Sequence, residues 1–204
     1  ARIMETVKAN SSLPVTVKTR LGYDTDSMNA LALAQAAQDA GLQWICIHGR
    51  TRRQMYAGQA DYAAIAAIRR QVRIPVLANG DVDSPETALH ALAETGCDGL
   101  LIGRGAMGNP WLFRSVGQAL RGEAVTPIPK AERLAVALEH IDRMTQHKGE
   151  RLAVAEMRTQ IGHYISGLRG ATALRRALNT AKTADEQKAL LRTLFAEEEQ
   201  EDHP

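Results

Sequence analysis

The sequence predicts a parallel α/β unit followed by a small all-α module. Three observations predict it. Four short apolar runs recur through residues 1–120, with Ala-rich helical patterns between them. Each run is followed by polar or basic groups. Beyond a proline-bearing stretch the strand pattern stops and amphipathic helices take over.

The chain opens on Ala1 as if already inside a helix, so it is expected to be part of something longer. The first run is Pro14-Val15-Thr16-Val17-Lys18. Next come Trp44-Ile45-Cys46-Ile47-His48, Ile74-Pro75-Val76-Leu77-Ala78 and Gly99-Leu100-Leu101-Ile102-Gly103. They barely alternate between apolar and polar, as strands buried on both faces should. The helical pattern from Asn29 to Ala40 stops at Gly41, a natural residue just past a helix end. Tyr62 to Val72 is the second helix. Pro85 to Glu94 is the third, with Ser84 as cap and Pro85 at the first helical position. A fourth is expected to start at Asn109-Pro110 and end near Gly122. Strands separated by helices at about 25–30 residues make a βαβ series.

Glu123 to Lys130 carries two prolines and reads as a linker. Residues 131–147, 150–166, 171–181 and 185–196 read as four amphipathic helices. The expected organisation is therefore an α/β part over residues 1–122, a linker over 123–130 and a helical domain over 131–204. At ~75 residues the last can fold alone with modest margin.

Composition excludes several classes. Hydrophobic residues are 45% and charged residues 24%, with 16 Gly and 7 Pro, values that exclude collagen-like or disordered chains. No stretch approaches the ~20 apolar residues of a membrane helix, and the start does not read as a signal peptide. Cys46 and Cys97 lie in or beside apolar runs with no framework of pairs, so a reducing, cytoplasmic setting is expected. Net charge is +2, but from Arg143 to Arg192 ten Lys and Arg stand against four Asp and Glu, an excess of +6. Glu197 to Asp202 then holds five acids and no base. A basic stretch suits nucleic acid through counterion release; it also suits a solvated helical surface.

The chemistry collects after the strands. Lys18 and Arg20 follow the first; His48, Gly49, Arg50 and Thr51 follow the second. Asn79, Gly80 and Asp81 follow the third, and Gly103, Arg104 and Gly105 the fourth. Parallel folds bind ligands at this C-terminal end of the strands. Taken singly, each group has an ordinary explanation. Lys18 could reach solvent from a strand end, His48 could be a satisfied core histidine, and Asn79-Gly80-Asp81 could be only a turn. As phosphate ligands, the glycines would admit backbone N–H groups and Arg104 would add a bidentate charge. No P-loop pattern is present, and no metal-ligand cluster has convincing spacing. His140 and His147 share a helix face with no metal implied.

At these residues the sequence resembles the tRNA-dihydrouridine synthase family. The motifs are Val17-Lys18-Thr19-Arg20-Leu21-Gly22, then His48-Gly49-Arg50-Thr51-Arg52 continuing through Gln54, Tyr56, Gly58, Ala60 and Asp61. Ile74-Pro75-Val76 to Asp81 and Leu101-Ile102-Gly103-Arg104-Gly105 follow. Gly108-Asn109-Pro110-Trp111 and Leu174-Arg175-Arg176 with Asn179 resemble the bacterial B-type subfamily. The resemblance implies an FMN-containing (β/α)8 TIM barrel, of which this chain holds the last four βα units, followed by a helical tRNA-binding domain. It implies reduction of uridine to dihydrouridine in tRNA, with NADPH reducing the flavin and a cysteine donating a proton.

Carried over by position, the resemblance implies that Lys18, His48, Asn79, Gly80, Asp81, Gly103 and Arg104 hold FMN. It implies RNA or base contacts for Arg20, Arg50, Arg52, Tyr56, Arg175 and Arg176. Neither Cys46 nor Cys97 matches the proton-donor loop, so no catalytic residue is assigned in this chain, which is expected to be inactive alone. The open sheet edges are expected to pair with an N-terminal half-barrel or a second copy. Val17, Ile45, Ile47, Val76 or Leu101, depending on register, would face the barrel interior. A non-catalytic tRNA-binding module and a Lys18-dependent small-molecule (β/α) enzyme are the alternatives.

Overall fold

The computed structural model describes the backbone of residues 1–201 and side chains through residue 197. Beyond Glu197, the acidic run expected up to Asp202 lies outside the described side chains. Helix α1 spans Arg2–Ala9, and four strands follow: β1 Val17–Arg20, β2 Ile45–His48, β3 Val76–Asn79 and β4 Gly99–Leu101. Between and after them run α2 Ala30–Asp39, α3 Tyr62–Arg69, α4 Pro85–Thr95 and α5 Leu112–Leu120. The strands form one parallel sheet in sequential order. The anticipated βαβ series is therefore present, with β1 and β3 displaced towards the C-terminal end of their apolar runs.

The pairing has no stagger. Arg20 pairs with His48, His48 with Asn79 and Asn79 with Leu101. Alternation along a strand then gives each residue a face. Ile45, Ile47, Val76 and Ala78, with Val17 and Leu100, pack into a core with Ala30, Ala34, Ile65 and Ile68 of the covering helices. The opposite face carries Lys18, Cys46, Leu77 and Gly99 in one row, and Arg20, His48, Asn79 and Leu101 in the next. Hence Val17, Ile45, Ile47 and Val76 face the helices, and of the residues considered for the other face only Leu101 lies there. The small residues of α2 (Ala30, Ala34 and Ala37, all buried) suit close packing.

Local signals set the helix ends. The Ser84 hydroxyl accepts from the Thr87 N–H (3.2 Å), and the Thr87 hydroxyl accepts from the Ser84 N–H (2.9 Å), a reciprocal cap before Pro85. Helix α2 stops at Ala40, followed by Gly41 in the left-handed region. The helix expected from Asn109-Pro110 begins instead at Leu112. The Trp111 indole N–H donates to the Glu132 carboxylate (2.6 Å) and its ring joins the helical core, which holds the preceding residues in turns.

The chain divides into two compact units. One holds Ala1–Gly105 and Leu112–Val125; the other holds Ala106–Trp111 and the residues from Thr126 onward. The second is built from α6 Lys130–Lys148, α7 Glu150–Tyr164, α8 Ala171–Thr180 and α9 Ala184–Glu201. Ile141, Met157, Ile161, Leu178, Leu191 and Phe195 fill its core. The buried Gln187 donates Nε2–H to the Val154 carbonyl (2.8 Å), tying α9 to α7. Among the described residues no helix is long and apolar enough to cross a membrane.

Candidate functional site

A cleft of about 780 Å³ opens at the C-terminal end of the sheet, within the α/β unit. That volume lies in the range of small-molecule sites. Its wall includes Lys18, Arg20, His48, Asn79 and Leu101 from the strands, and Arg50, Tyr56 and Gly58 from the segment after β2. Gly80, Asp81 and Asp83 follow β3; Gly103, Arg104 and Gly105 follow β4. Four Lys and Arg side chains stand against two carboxylates, so the cleft favours an anion.

Every residue anticipated at the strand ends as a cofactor ligand lines this cleft: Lys18, His48, Asn79, Gly80, Asp81, Gly103 and Arg104. The register explains the convergence, since Lys18, His48 and Asn79 share one sheet face. The Asn79 amide is fixed by donating to the Leu101 carbonyl (2.7 Å), across to the neighbouring strand. Gly80 has φ +130°, and a Cβ there would stand 2.7 Å from the Ala60 Cβ and 3.2 Å from the His48 ring. Around Gly103 a Cβ would meet nothing within 4 Å, so the backbone is open to the cleft.

Arg50 was anticipated as an RNA or base contact; the structure encloses it. It is 2% exposed and donates Nη1–H and Nη2–H to the two carboxylate oxygens of Asp81, both at 2.7 Å. Nε–H reaches the Ala57 carbonyl (3.1 Å), and Nη2–H also reaches the Gly58 carbonyl. The Asp81 carboxylate accepts further from the Ala60 N–H (2.7 Å) and lies 3.9 Å from Arg104. Partial burial pushes its pKa up, but the Arg50 hydrogen bonds, the Ala60 N–H and the charges of Arg50 and Arg104 outweigh this and hold it below the ordinary value. Its role is therefore to carry charge for Arg50 rather than to offer a free carboxylate.

Arg20 also grips the segment after β2, donating Nη1–H to the carbonyls of Thr51 and Met55, each at 2.9 Å. Met55 takes a positive φ of 53°, uncommon for a residue with a side chain. Tyr56 is thereby presented to two cations, with the Arg104 Cζ 4.0 Å and the Arg20 Cζ 5.8 Å from its ring centre. Arg52 is exposed on the same segment and donates to the Met55 sulfur (2.8 Å), outside the cleft wall. Arg175 and Arg176 are exposed on α8 of the helical unit; Arg175 also donates to the Gly162 carbonyl (3.1 Å).

Some contributors lie outside the strand-end pattern. Tyr62, the first residue of α3, donates its hydroxyl to the Gly80 carbonyl (2.8 Å), and Asp83 lines the cleft. No local motif marks Tyr62, because its partner is 18 residues away. Cys46 lies in the same row as Lys18 but is fully buried. Burial pushes its thiol up to about 11 against the opposing pull of Lys18, so little thiolate exists at neutral pH.

Comparison with known proteins decides the family. The family description "Dihydrouridine synthase" matches residues 1–200. The chain belongs to the dihydrouridine synthase family. It is 42% identical over 198 residues to tRNA-dihydrouridine synthase B of Pseudomonas aeruginosa, covering 97% of this chain and 60% of that protein. It is also 42% identical over 194 residues to the synthase B of Vibrio cholerae, covering 95% of this chain and 60% of that one. This dihydrouridine synthase chain thus spans about 60% of the length of the curated relatives it matches.

His48 provides a pH test of the site. Burial, then the charges of Arg20, Lys18 and Arg50, lower its pKa from 6.5 to about 4, against a smaller opposing effect of Asp81. The unfolded chain therefore takes up the proton first as pH falls. Stability from neutral His48 is complete above 6.5 and declines as pH falls towards about 4. In NMR titration the His48 ring should stay neutral through the ordinary histidine range, and His48→Gln should flatten the acid loss of stability in that window. A ring that titrates at its ordinary value would contradict this electrostatic account.

Proposed function

We propose that the full-length protein reduces uridine to dihydrouridine in tRNA with FMN and NADPH, and that this chain supplies the FMN cleft and a tRNA-binding helical unit. The excess of cations in the cleft is the observation that carries the reading. Further support is the backbone space at Gly103 and the half-exposed guanidinium of Arg104. An anionic phosphate fits between them, with Asn79 and Gly80 at the adjoining strand end. Lys18 and His48 would face the ring system, the lysine placing positive charge where a reduced flavin carries negative charge. Hydride transfer to the uracil ring is the chemistry that the bound flavin supplies.

The chain's own groups have separate tasks. Arg104 binds the phosphate, and Lys18 balances charge in the deeper cleft. His48, neutral at physiological pH, packs beside Gly80 without adding a further cation. Arg20, Arg52 and Tyr56 form the rim towards RNA, and Arg50 acts behind them. Arg175 and Arg176 would contact tRNA phosphates from the helical unit. Some of the basic excess there is already paired, Lys188 with Asp142 and Asp185, and Lys148 with Glu156. We assign the protein to the cytoplasm, where its substrate is made.

Neither cysteine suits proton donation in the described cleft, since Cys46 is buried within β2 and Cys97 precedes β4. We therefore assign the donor to another part of the full-length protein and infer that this chain alone does not turn over. The four βα units make half of a (β/α)8 barrel. Strands β1 and β4 end the described sheet, and apolar side chains stand exposed on α1 (Ile3, Val7) and α5 (Phe113, Leu120). Sheet edges of this kind recruit further strands. Further βα units of the full-length protein would cover them; in the isolated chain a second copy would.

Two measurements test these readings. FMN titration followed by flavin fluorescence should show saturable binding, weakened about 10- to 100-fold in Arg104→Gln, the range for a lost charge-assisted contact. A Lys18 adduct trapped by borohydride with a carbonyl substrate, without flavin binding, would favour a small-molecule lyase instead. Light scattering on the isolated chain at micromolar concentration should give a mass above the monomer. A compact monomer would refute the edge-pairing reading.

A further inference from the structure

We propose that Arg50 is a positioning residue for anion binding: by bridging Asp81 to the carbonyls of Ala57 and Gly58, it holds Tyr56 against Arg104 and so orients the Arg104 guanidinium. This rests on the reading that the cleft binds a phosphate at Arg104. Arg50 itself cannot serve the ligand directly, because its side chain is 2% exposed and makes four hydrogen bonds inside the protein.

The geometry forms a chain of cause. Asp81 is placed by the end of β3 and is fixed by two hydrogen bonds from Arg50 and one from the Ala60 N–H. Arg50 passes that constraint to residues 57 and 58, next to Tyr56. Tyr56 is 54% exposed, held on its N-terminal side by the Arg20 hydrogen bond to the Met55 carbonyl and on its C-terminal side by Arg50, and its ring lies 4.0 Å from the Arg104 Cζ. An aromatic ring engages the flat face of a guanidinium and leaves the N–H groups in the guanidinium plane for another partner. Those in-plane donors match a phosphate fork. Free Arg104 would sample many rotamers, and ordering them before binding removes part of the entropic cost of association.

Lysine at position 50 is the discriminating change. It keeps the positive charge beside Asp81 but cannot reach both carbonyls and both carboxylate oxygens at once. Thermal unfolding and hydrogen exchange of Arg50→Lys establish its fold and loop order together. In this variant the amides of residues 52–58 should exchange about tenfold faster or more, with β2 and β3 as protected as in the wild type. Calorimetric titration of FMN and of inorganic phosphate should show both bound about tenfold more weakly by Arg50→Lys. Arg53→Ala, a change to an exposed arginine on the same segment, should bind both as the wild type does.

A double-mutant cycle keeps the link testable if Arg50→Lys does not fold. Tyr56→Ala and Arg104→Gln should each weaken FMN binding, and the double variant should be no worse than Arg104→Gln alone. Additive losses would overturn the role of Tyr56 in orienting Arg104. Unchanged exchange in a folded Arg50→Lys would overturn the positioning role of Arg50. A wild-type chain that binds neither probe would instead overturn the phosphate reading of the cleft, and the exchange result would still decide whether Arg50 orders the loop.

Discussion

Parallel strands paired without stagger place Arg20, His48, Asn79 and Leu101 in a single row, one strand each. The row below it holds Lys18, Cys46, Leu77 and Gly99. Side chains on a strand alternate, so slipping one strand by a residue would exchange its polar and apolar faces. Ile45 and Ile47 of β2, with no measurable exposure, resist that slip because the helices cover them. The apolar core on one side of the sheet is thus what keeps Lys18, His48 and Asn79 together on the other.

Charge then decides how the groups behave. Arg50 is desolvated, which is unfavourable unless its charge and donors are matched; Asp81 and two carbonyls match them. Removing the carboxylate would leave a buried cation, so the pair constrains the fold locally even where its net contribution to stability is small. Burial first, and then the charges of Arg20, Lys18 and Arg50, keep His48 neutral. Arg104 differs from Arg50 in being 54% exposed on its side chain and held from one side by Tyr56. One arginine organises the cleft and the other is left at its surface.

Much of the α/β unit was legible because its signals are local. Ser84-Pro85 and Gly41 mark helix ends by short-range backbone chemistry, and the polar groups after each apolar run mark the strand ends. The faces were not legible. Trp44-Ile45-Cys46-Ile47-His48 carries almost no alternation, so only pairing with neighbours tells Ile47 from Cys46. Arg50 looked like any surface arginine because Asp81, which encloses it, is 31 residues away. At Asn109-Pro110 a sound local helix signal lost to a tertiary contact, the Trp111 side chain held by Glu132 in the helical core.

The residues brought together at the strand ends are thus assigned to an anion site within the α/β unit. Amide chemical shifts recorded while FMN is added to the isotopically labelled chain test it directly. The largest shifts are expected on Gly80, Gly103 and Arg104, with the amides of α6 to α9 unmoved. Shifts concentrated in the helical unit, or none at saturating FMN, would contradict it.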